Sequence, residues 1–462
     1  MALWRTGGGA MALLPRLRTP MGQVILVGAV CFCCPGMFSA LTGMGGGGQV
    51  DPHAANRALT ALYAAFAIFG LLGGGFNNIL GPRITVLVGS VFYALYVASF
   101  LRYNHSHDER LVVLAGGLLG FGAGLLWAGQ GSILMSYPPE RDKGLYISIF
   151  WSVFNMGGVV GGLIPFFLNF SRDRSSSHSV NDTTYIAFIV VMLCGSILSL
   201  KLVQPDQVAR EDGTQVISAL HTDVATECWE ILKLFRDPRM LAFVPACIAS
   251  NFFYTYQFNN VNGLLFDVRT RGLNNVVYWS AQMLGSVLAG RVLDKSSPSS
   301  RSRAHLGILL VAAASTLIWA AAFVNQTNYS RRRLPHGVPL DFTDGFQFLG
   351  PFVLYSCFGL LDAMFQTLCY WVMGEMSGEV QTLSRYGGFY KGLQSAGAAV
   401  AWQLDASEMA LMPQLCLNWI LMSLSFPLLW IMVRDFKDER HHRKEDKEHL
   451  FLLDSSSTNS ED

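Results

Sequence analysis

Along most of this chain, apolar residues run on for the thickness of a membrane and then stop at short polar breaks. A helix rises about 1.5 Å per residue, so about 20 mostly apolar residues span a hydrocarbon core. On that measure twelve spans are predicted, near residues 21–43, 58–80, 83–101, 111–136, 144–168, 185–203, 240–262, 273–293, 304–324, 346–373, 386–404 and 413–433. The segment 204–238 is polar, yet Val216, Leu220, Val224, Cys228, Leu232 and Phe235 recur at helical spacing within it. That pattern predicts an amphipathic helix lying on the membrane surface.

Two distant stretches carry nearly the same wording. The first is Gly124-Leu-Leu-Trp127-Ala-Gly-Gln130, followed by Phe150-Trp151-x-x-x-Asn155-x-Gly-Gly158. The second is Gly359-Leu-Leu-Asp362-Ala363 with Gln366 a turn below, followed by Phe389-Tyr390-x-x-x-Gln394-x-Ala-Gly397. A duplicated pair of intramembrane helices lets two similar halves enclose a site and rock about it. The copies differ where chemistry is concerned: Trp127 and Ser152 in the first correspond to Asp362 and Lys391 in the second.

Composition agrees with the spans. Only 14% of residues are charged and the mean hydropathy is +0.35, against about 25% charged in soluble proteins. A net charge of +1 points to neither nucleic acid nor an acidic partner. No nucleotide loop, zinc-ligand spacing or nucleophile elbow is present, and the glycine runs Gly7–Gly9 and Gly45–Gly48 lack a following Lys-Ser/Thr. Neither a metal, a cofactor nor an enzymatic activity is expected. Cys228 falls in the central loop and the other eight cysteines in apolar segments, so no extracellular disulfide framework is expected. The Cys31-x-Cys33-Cys34 cluster reads as small packing residues. The first apolar segment, beginning at about Met21 after Arg5, Arg16 and Arg18, is too long for a signal-peptide core and is expected to be retained.

Two signals orient the spans. With both termini and the even-numbered connections in the cytosol, 22 lysines and arginines fall inside and 10 outside, as the positive-inside rule requires. The run Arg331-Arg332-Arg333 is an exception in a longer outer loop. The glycosylation sequons at Asn104, Asn169, Asn181, Asn325 and Asn328 all land in outer loops. The expected layout is a cytosolic segment 1–20, a six-helix half 21–203, a central loop 204–239, a second half 240–433 and a disordered cytosolic tail 434–462.

Between the second and third spans stands Gly74-Gly-Phe-Asn-Asn78-Ile-Leu-Gly81-Pro-Arg83, and between the eighth and ninth Gly290-Arg-Val-Leu-Asp294-Lys295. Both resemble the loop signature of the major facilitator superfamily, a glycine turn with charges that latches the halves on the cytosolic side. The second copy keeps its acid and base; the first has Asn78 and Ile79 in their place. Asn78-x-x-Gly81-Pro82-Arg83, Trp127-x-x-Gln130-Gly131, Ser136-Tyr137-Pro138, Lys143-Gly144 and Phe150-Trp151-x-x-Phe154-Asn155 together resemble the Unc-93-like family of that superfamily. Tyr370-Trp371-x-x-Gly374 and Gly388-Phe389-Tyr390-Lys391-Gly392-x-Gln394-Ser-Ala-Gly397 fit its shorter, fungal- or plant-type members. The resemblance runs from about residue 20 to 434. It implies an all-α twelve-helix facilitator fold in two pseudo-symmetric halves, and links to potassium homeostasis, channel regulation or receptor trafficking.

Charge at bilayer depth is costly, so ionisable residues there are functional candidates. Asp362 sits near the midplane, with Gln366 and Tyr370 on the same helix face. Lys391, with Gln394 a turn above it, is on the next span and within plausible reach of Asp362 as a buried acid–base pair. Trp127, Gln130, Trp151, Asn155, Asn251, Tyr254, Gln257 and Gln282 are further polar or aromatic candidates to line a cavity; interhelical hydrogen bonding is the alternative role for each. Gly157, Gly158, Gly161, Gly162, Gly392 and Gly397 suit close helix packing.

Two functions stay open. One is secondary, alternating-access transport of a small polar solute or ion, which Asp362 favours. The other is a non-transporting membrane partner of a channel or other membrane protein, which the altered first latch at Asn78 favours. In the tail, Glu448-x-x-x-Leu452-Leu453 resembles an acidic dileucine sorting signal, so an endosomal or vacuolar membrane stands beside the plasma membrane.

Overall fold

A computed structural model describes residues 18–44, 52–139, 142–169, 182–208, 224–295, 299–331 and 339–436. Twelve long helices run back and forth through it: α1 (Pro20–Gly43), α2 (Ala54–Leu80), α3 (Pro82–Ser106), α4 (Glu109–Ser136), α5 (Lys143–Asn169) and α6 (Asp182–Ser199), then α7 (Pro238–Thr255, continued by Tyr256–Gly263), α8 (Val268–Lys295), α9 (Ser300–Gln326), α10 (Phe346–Met376), α11 (Val380–Ala406) and α12 (Leu411–Met432). Among the described residues, nine of the twelve are long and apolar enough to cross a membrane on length and composition alone; α7, α8 and α11 are more polar than that.

Local chemistry sets the ends and breaks. Thr19, Asp108 and Asp237 accept hydrogen bonds from the first free N–H groups of α1, α4 and α7, and Pro238 pre-sets the first turn of α7. Gly81 separates α2 from α3 with φ +76°, a left-handed conformation that a side chain disfavours. In α1 the ladder loosens into a wide turn over Phe32–Gly36 at Pro35, which has no N–H to give. A longer wide turn, Tyr256–Gly263, carries the amides of α7.

Large apolar side chains such as Ile68, Leu114, Phe167, Ile197, Leu317 and Ile420 are exposed on the outside of the bundle, as lipid-facing surfaces are. The interior instead holds Gln130, Asn155, Gln257, Asn262, Gln282, Asp362, Gln366, Lys391 and Gln394, all buried. Glycines bring the helices close: a Cβ on Gly124 would lie 2.6 Å from the α2 backbone at Phe69, and one on Gly397 2.7 Å from the Ile248 carbonyl of α7. Gly158 likewise packs on Trp279 and Gly392 on α2 at Ala67 and Leu71. The packing role expected of Gly158, Gly392 and Gly397 matches their surroundings.

The helix α11 begins at Val380 rather than near 386. Its first turn, Val380–Arg385, is too polar to register as a span because it is covered by α2 and the central helix rather than by lipid. The central helix is Val224–Leu234; Val216 and Leu220, assigned to it from the sequence, lie outside the described residues. It does not simply float on the surface: Glu227, Ile231 and Leu234 are buried against the bundle, while Trp229 and Leu232 are exposed.

Candidate functional site

The acid that the sequence marks at bilayer depth is enclosed. Asp362 on α10 is 1% exposed. Its Oδ2 accepts from Gln282 Nε2 at 2.6 Å, the Tyr254 hydroxyl at 2.8 Å and the Tyr278 hydroxyl at 3.3 Å, and its Oδ1 accepts from Gln366 Nε2 at 2.6 Å. Three donors from α7 and α8 converge on Oδ2 and one from α10 on Oδ1, which leaves Oδ1 with acceptor capacity. Gln282 and Tyr278 are one turn apart on α8, which is why both reach the same oxygen. The single Tyr278 hydroxyl proton is shared with Gln257 Oε1, the nearer acceptor at 2.8 Å, which ties that amide into the network.

Lys391 on α11 is 4% exposed and does not meet Asp362. The ion pairs among the described residues include none between the two; in place of the direct pair that the sequence left open, a relay joins them. Lys391 Nζ donates to Gln394 Oε1 at 2.8 Å, Gln394 Nε2 to Gln366 Oε1 at 3.1 Å, and Gln366 Nε2 to Asp362 Oδ1 at 2.6 Å. Every amide donates toward the acid and accepts from the base, so the two amide dipoles align between the charges. The ammonium lies among three rings, 4.3 Å from the Trp127 centroid, 5.3 Å from Tyr390 and 5.5 Å from Tyr370.

Beside this relay lies a cavity of about 560 Å³ including its mouth, of which about 60 Å³ can take the centres of water-sized molecules. That is room for several waters, since one needs roughly 10–15 Å³ by the same measure. Lys391, Gln394, Gln366, Tyr254, Asn251, Trp127 and Trp151 all reach it, together with the α1 wide turn at Pro35 and an apolar wall that includes Phe38 and Phe66. Seven of the sequence candidates therefore converge on one space. Gln130 accepts from the Tyr370 hydroxyl at 3.4 Å just outside the lining. Asn155 is buried, with neither amide atom hydrogen-bonded, and is not among the lining residues. Tyr278 was not singled out from the sequence; its place four residues before Gln282 was the available signal.

On the face where α1 starts and α12 ends, residues of both loop motifs contact neighbouring helices. Asp294 accepts from the N–H groups of Gly144 at 2.9 Å and Leu145 at 2.7 Å, capping α5 from the other half. Gly290 and Gly144 face each other there: a Cβ on Gly144 would lie 2.8 Å from the Gly290 carbonyl. Nearby, Lys143 Nζ donates to the Gly374 carbonyl at 2.5 Å. In the first copy, a Cβ on Gly74 would lie 2.6 Å from the Ser384 carbonyl of α11. Asn78 donates to Glu227 Oε2 at 3.1 Å, and Glu227 holds Arg385. The first copy is therefore not left without an acid: the central helix supplies one. Asn78 thus has a carboxylate partner from outside the motif. Arg83 is exposed, and the Lys295 side chain lies outside the described residues.

The opposite face is also tied across. Asn262 Nδ2 donates to the Gly43 carbonyl and Asn275 Nδ2 to the Ala40 carbonyl, each at 2.9 Å. Asn259 Nδ2 donates to Asp405 at 2.9 Å and to Asn56 at 3.3 Å. Arg331 pairs with Asp405, which gives one arginine of the exceptional outer run a buried partner. Arg332 and Arg333 lie outside the described residues. This clasp was legible only as an unusually polar α7. Of the sequons, Asn328 is exposed, the Asn325 side-chain nitrogen is buried, and Asn104 donates to Asp182 at 3.0 Å. Asn181, the Asn169 side chain, and Glu448, Leu452 and Leu453 lie outside the described residues.

Comparison with known proteins gives a consistent picture. An UNC93-like protein 1 of Arabidopsis thaliana is 56% identical over 432 residues, covering 92% of this chain and 94% of its own. An UNC93-like protein of Schizosaccharomyces pombe is 39% identical over 419 residues, covering 89% and 82%. In three dimensions, the fucose:proton symporter FucP of Escherichia coli superposes with a TM-score of 0.61 at 12% identity, over 91% of this chain and 98% of FucP. The fold is thus that of the major facilitator superfamily. Residues 46–425 match the family described as "Ion channel regulatory protein UNC-93", and the chain belongs to the UNC-93 family.

Proposed function

We propose that this chain is a secondary transporter that carries a small polar solute or ion by alternating access, with the halves 21–203 and 240–433 rocking about the cavity. One observation carries the reading: a buried acid and a buried base on neighbouring helices, joined through two glutamines beside an interior cavity. Charge at that depth costs several kcal/mol unless it is used or fully compensated, and here both groups are held in a connected chain rather than neutralised by direct pairing. Tyr254, which both lines the cavity and donates to Asp362, offers a route by which occupancy of the cavity is felt by the acid. The paired seams, Asp294 of α8 against α5, and Glu227 with Asn78 of α2 against α11, are contacts that form and break at one face as the cycle turns. Both termini are assigned to the cytosol, in a plasma, endosomal or vacuolar membrane.

A second reading, a non-transporting regulator of a channel or other membrane protein, is favoured by the family's description as channel-regulatory. A link to potassium homeostasis is compatible with either. Purified protein in liposomes, screened for flux of potassium, protons and small solutes, separates the two. Flux supports transport; stable co-purification with a channel and no flux supports the regulator.

A further inference from the structure

We infer that the solute recognised in the cavity is a small organic anion rather than a metal cation; this rests on the transport reading for its role and on the geometry for its class. Among the described residues that line the cavity, Lys391 is the only charged one. Its ammonium has three N–H donors, and the hydrogen bond to Gln394 uses one of them. The other charge of the relay is not offered to the cavity. Asp362 is absent from the lining, and its oxygens already accept four hydrogen bonds.

An entering cation therefore meets an ammonium and no free carboxylate. It finds a few amide and hydroxyl oxygens, not the ring of carbonyls or acids that replaces an ion's hydration shell. An anion meets the ammonium of Lys391, which makes one hydrogen bond among the described residues, and the ring of Trp151, which lines the same space and whose buried indole N–H has no hydrogen-bond partner. Both lie near one ring: the Lys391 ammonium is 5.5 Å from the Tyr370 centroid and the Trp151 ring centroid 6.5 Å from it. The rest of the cavity, with Phe38, Phe66 and Leu119, is apolar and suits the hydrocarbon part of an organic acid. The charge-assisted hydrogen bond supplies affinity, and the indole supplies direction.

The test uses three probes of one shape and different charge, the anion benzoate, neutral benzamide and cation benzamidine, titrated into the full chain in lipid nanodiscs by calorimetry and thermal unfolding. Potassium is compared with sodium in the same assay. The expected result is benzoate binding at least about tenfold tighter than benzamidine, with no preference for potassium. Lys391→Met brings the two probes within about threefold of each other, while Lys391→Arg keeps the anion preference. If Lys391→Met unfolds, the Arg variant and Trp151→Phe, expected to weaken benzoate about five- to tenfold, carry the comparison. A preference for benzamidine or potassium, no binding of any probe at about 10 mM, or an anion preference untouched by Lys391→Met and Trp151→Phe overturns the inference. Benzoate binding without flux of any solute upholds the anion class and removes the transport reading. Potassium flux without benzoate binding overturns the anion class and leaves transport standing.

Discussion

Glu227 and Arg385, 158 residues apart, form a two-pronged ion pair, with Arg385 Nη2 2.6 Å from Oε1 and Nε 2.9 Å from Oε2. Parallel bonds of this kind fit the planar guanidinium to the carboxylate. Their side chains are only 2% and 11% exposed, so water screens the pair little. Breaking it leaves a buried charge without its partner, at a cost of about 3–5 kcal/mol. Thermal unfolding of Glu227→Gln, Arg385→Gln and the double variant should give a coupling of about 1–3 kcal/mol. Additive losses would mean that the central helix does not latch α11.

The seam between α5 and α8 depends on the absence of two side chains. Gly144→Ala places a methyl 2.8 Å from the Gly290 carbonyl and against Asp294, while Gly117 has nothing within 4 Å of its would-be Cβ. Gly144→Ala should lower stability by about 1–3 kcal/mol through overpacking. Gly117→Ala should be neutral or gain up to about 1 kcal/mol from helix propensity. Equal effects in a thermal-shift comparison would show that close approach at this seam is not required.

At the opposite face, Arg269 at the start of α8 donates to Asp341 at 2.6 Å. Burial pushes the Asp341 carboxyl up, but hydrogen bonds from Arg269 and Thr343 outweigh it and hold the group below its ordinary range. A carboxylate shifted down on folding stabilises above its unfolded value, about pH 4, and loses that contribution as pH falls through the folded value. Asp341→Asn should therefore cost about 1–3 kcal/mol at neutral pH, and the gap from the parent should narrow below about pH 4. A gap constant with pH would show that only packing is lost.

How far the sequence reached depended on what each feature required. The helices were visible because hydropathy measures membrane thickness directly, and their positions differ from expectation mainly where protein rather than lipid covers a polar turn, as at Val380–Arg385. Asp362 and Lys391 stood out because charge is rare at that depth. Their lack of direct contact was not visible, because two glutamines one turn from each charge occupy the space between them. Gln282 was visible as an amide, but its neighbour Tyr278 reads as an ordinary aromatic until its hydroxyl is seen on Asp362. The role of Glu227 was hidden for another reason: a carboxylate in a polar loop gives no local sign that it will dock on α2 and α11.

We propose, as the central step of the transport reading, that Asp362 takes up and releases a proton as the cavity, sensed through Tyr254 and the relay, fills and empties. The most direct test is solute-driven proton uptake into liposomes, followed with a pH-sensitive dye, for the parent and for Asp362→Asn across potassium, small carboxylates and neutral sugars. The amide keeps the shape, loses the titrating group and exchanges one acceptor oxygen for an NH2 donor, so thermal unfolding of the variant is measured alongside. The parent should move protons with one class of solute, and Asp362→Asn should fold, bind that solute and move no protons with it. Unchanged proton coupling in Asp362→Asn, or no solute-driven proton movement by the parent, would contradict the account.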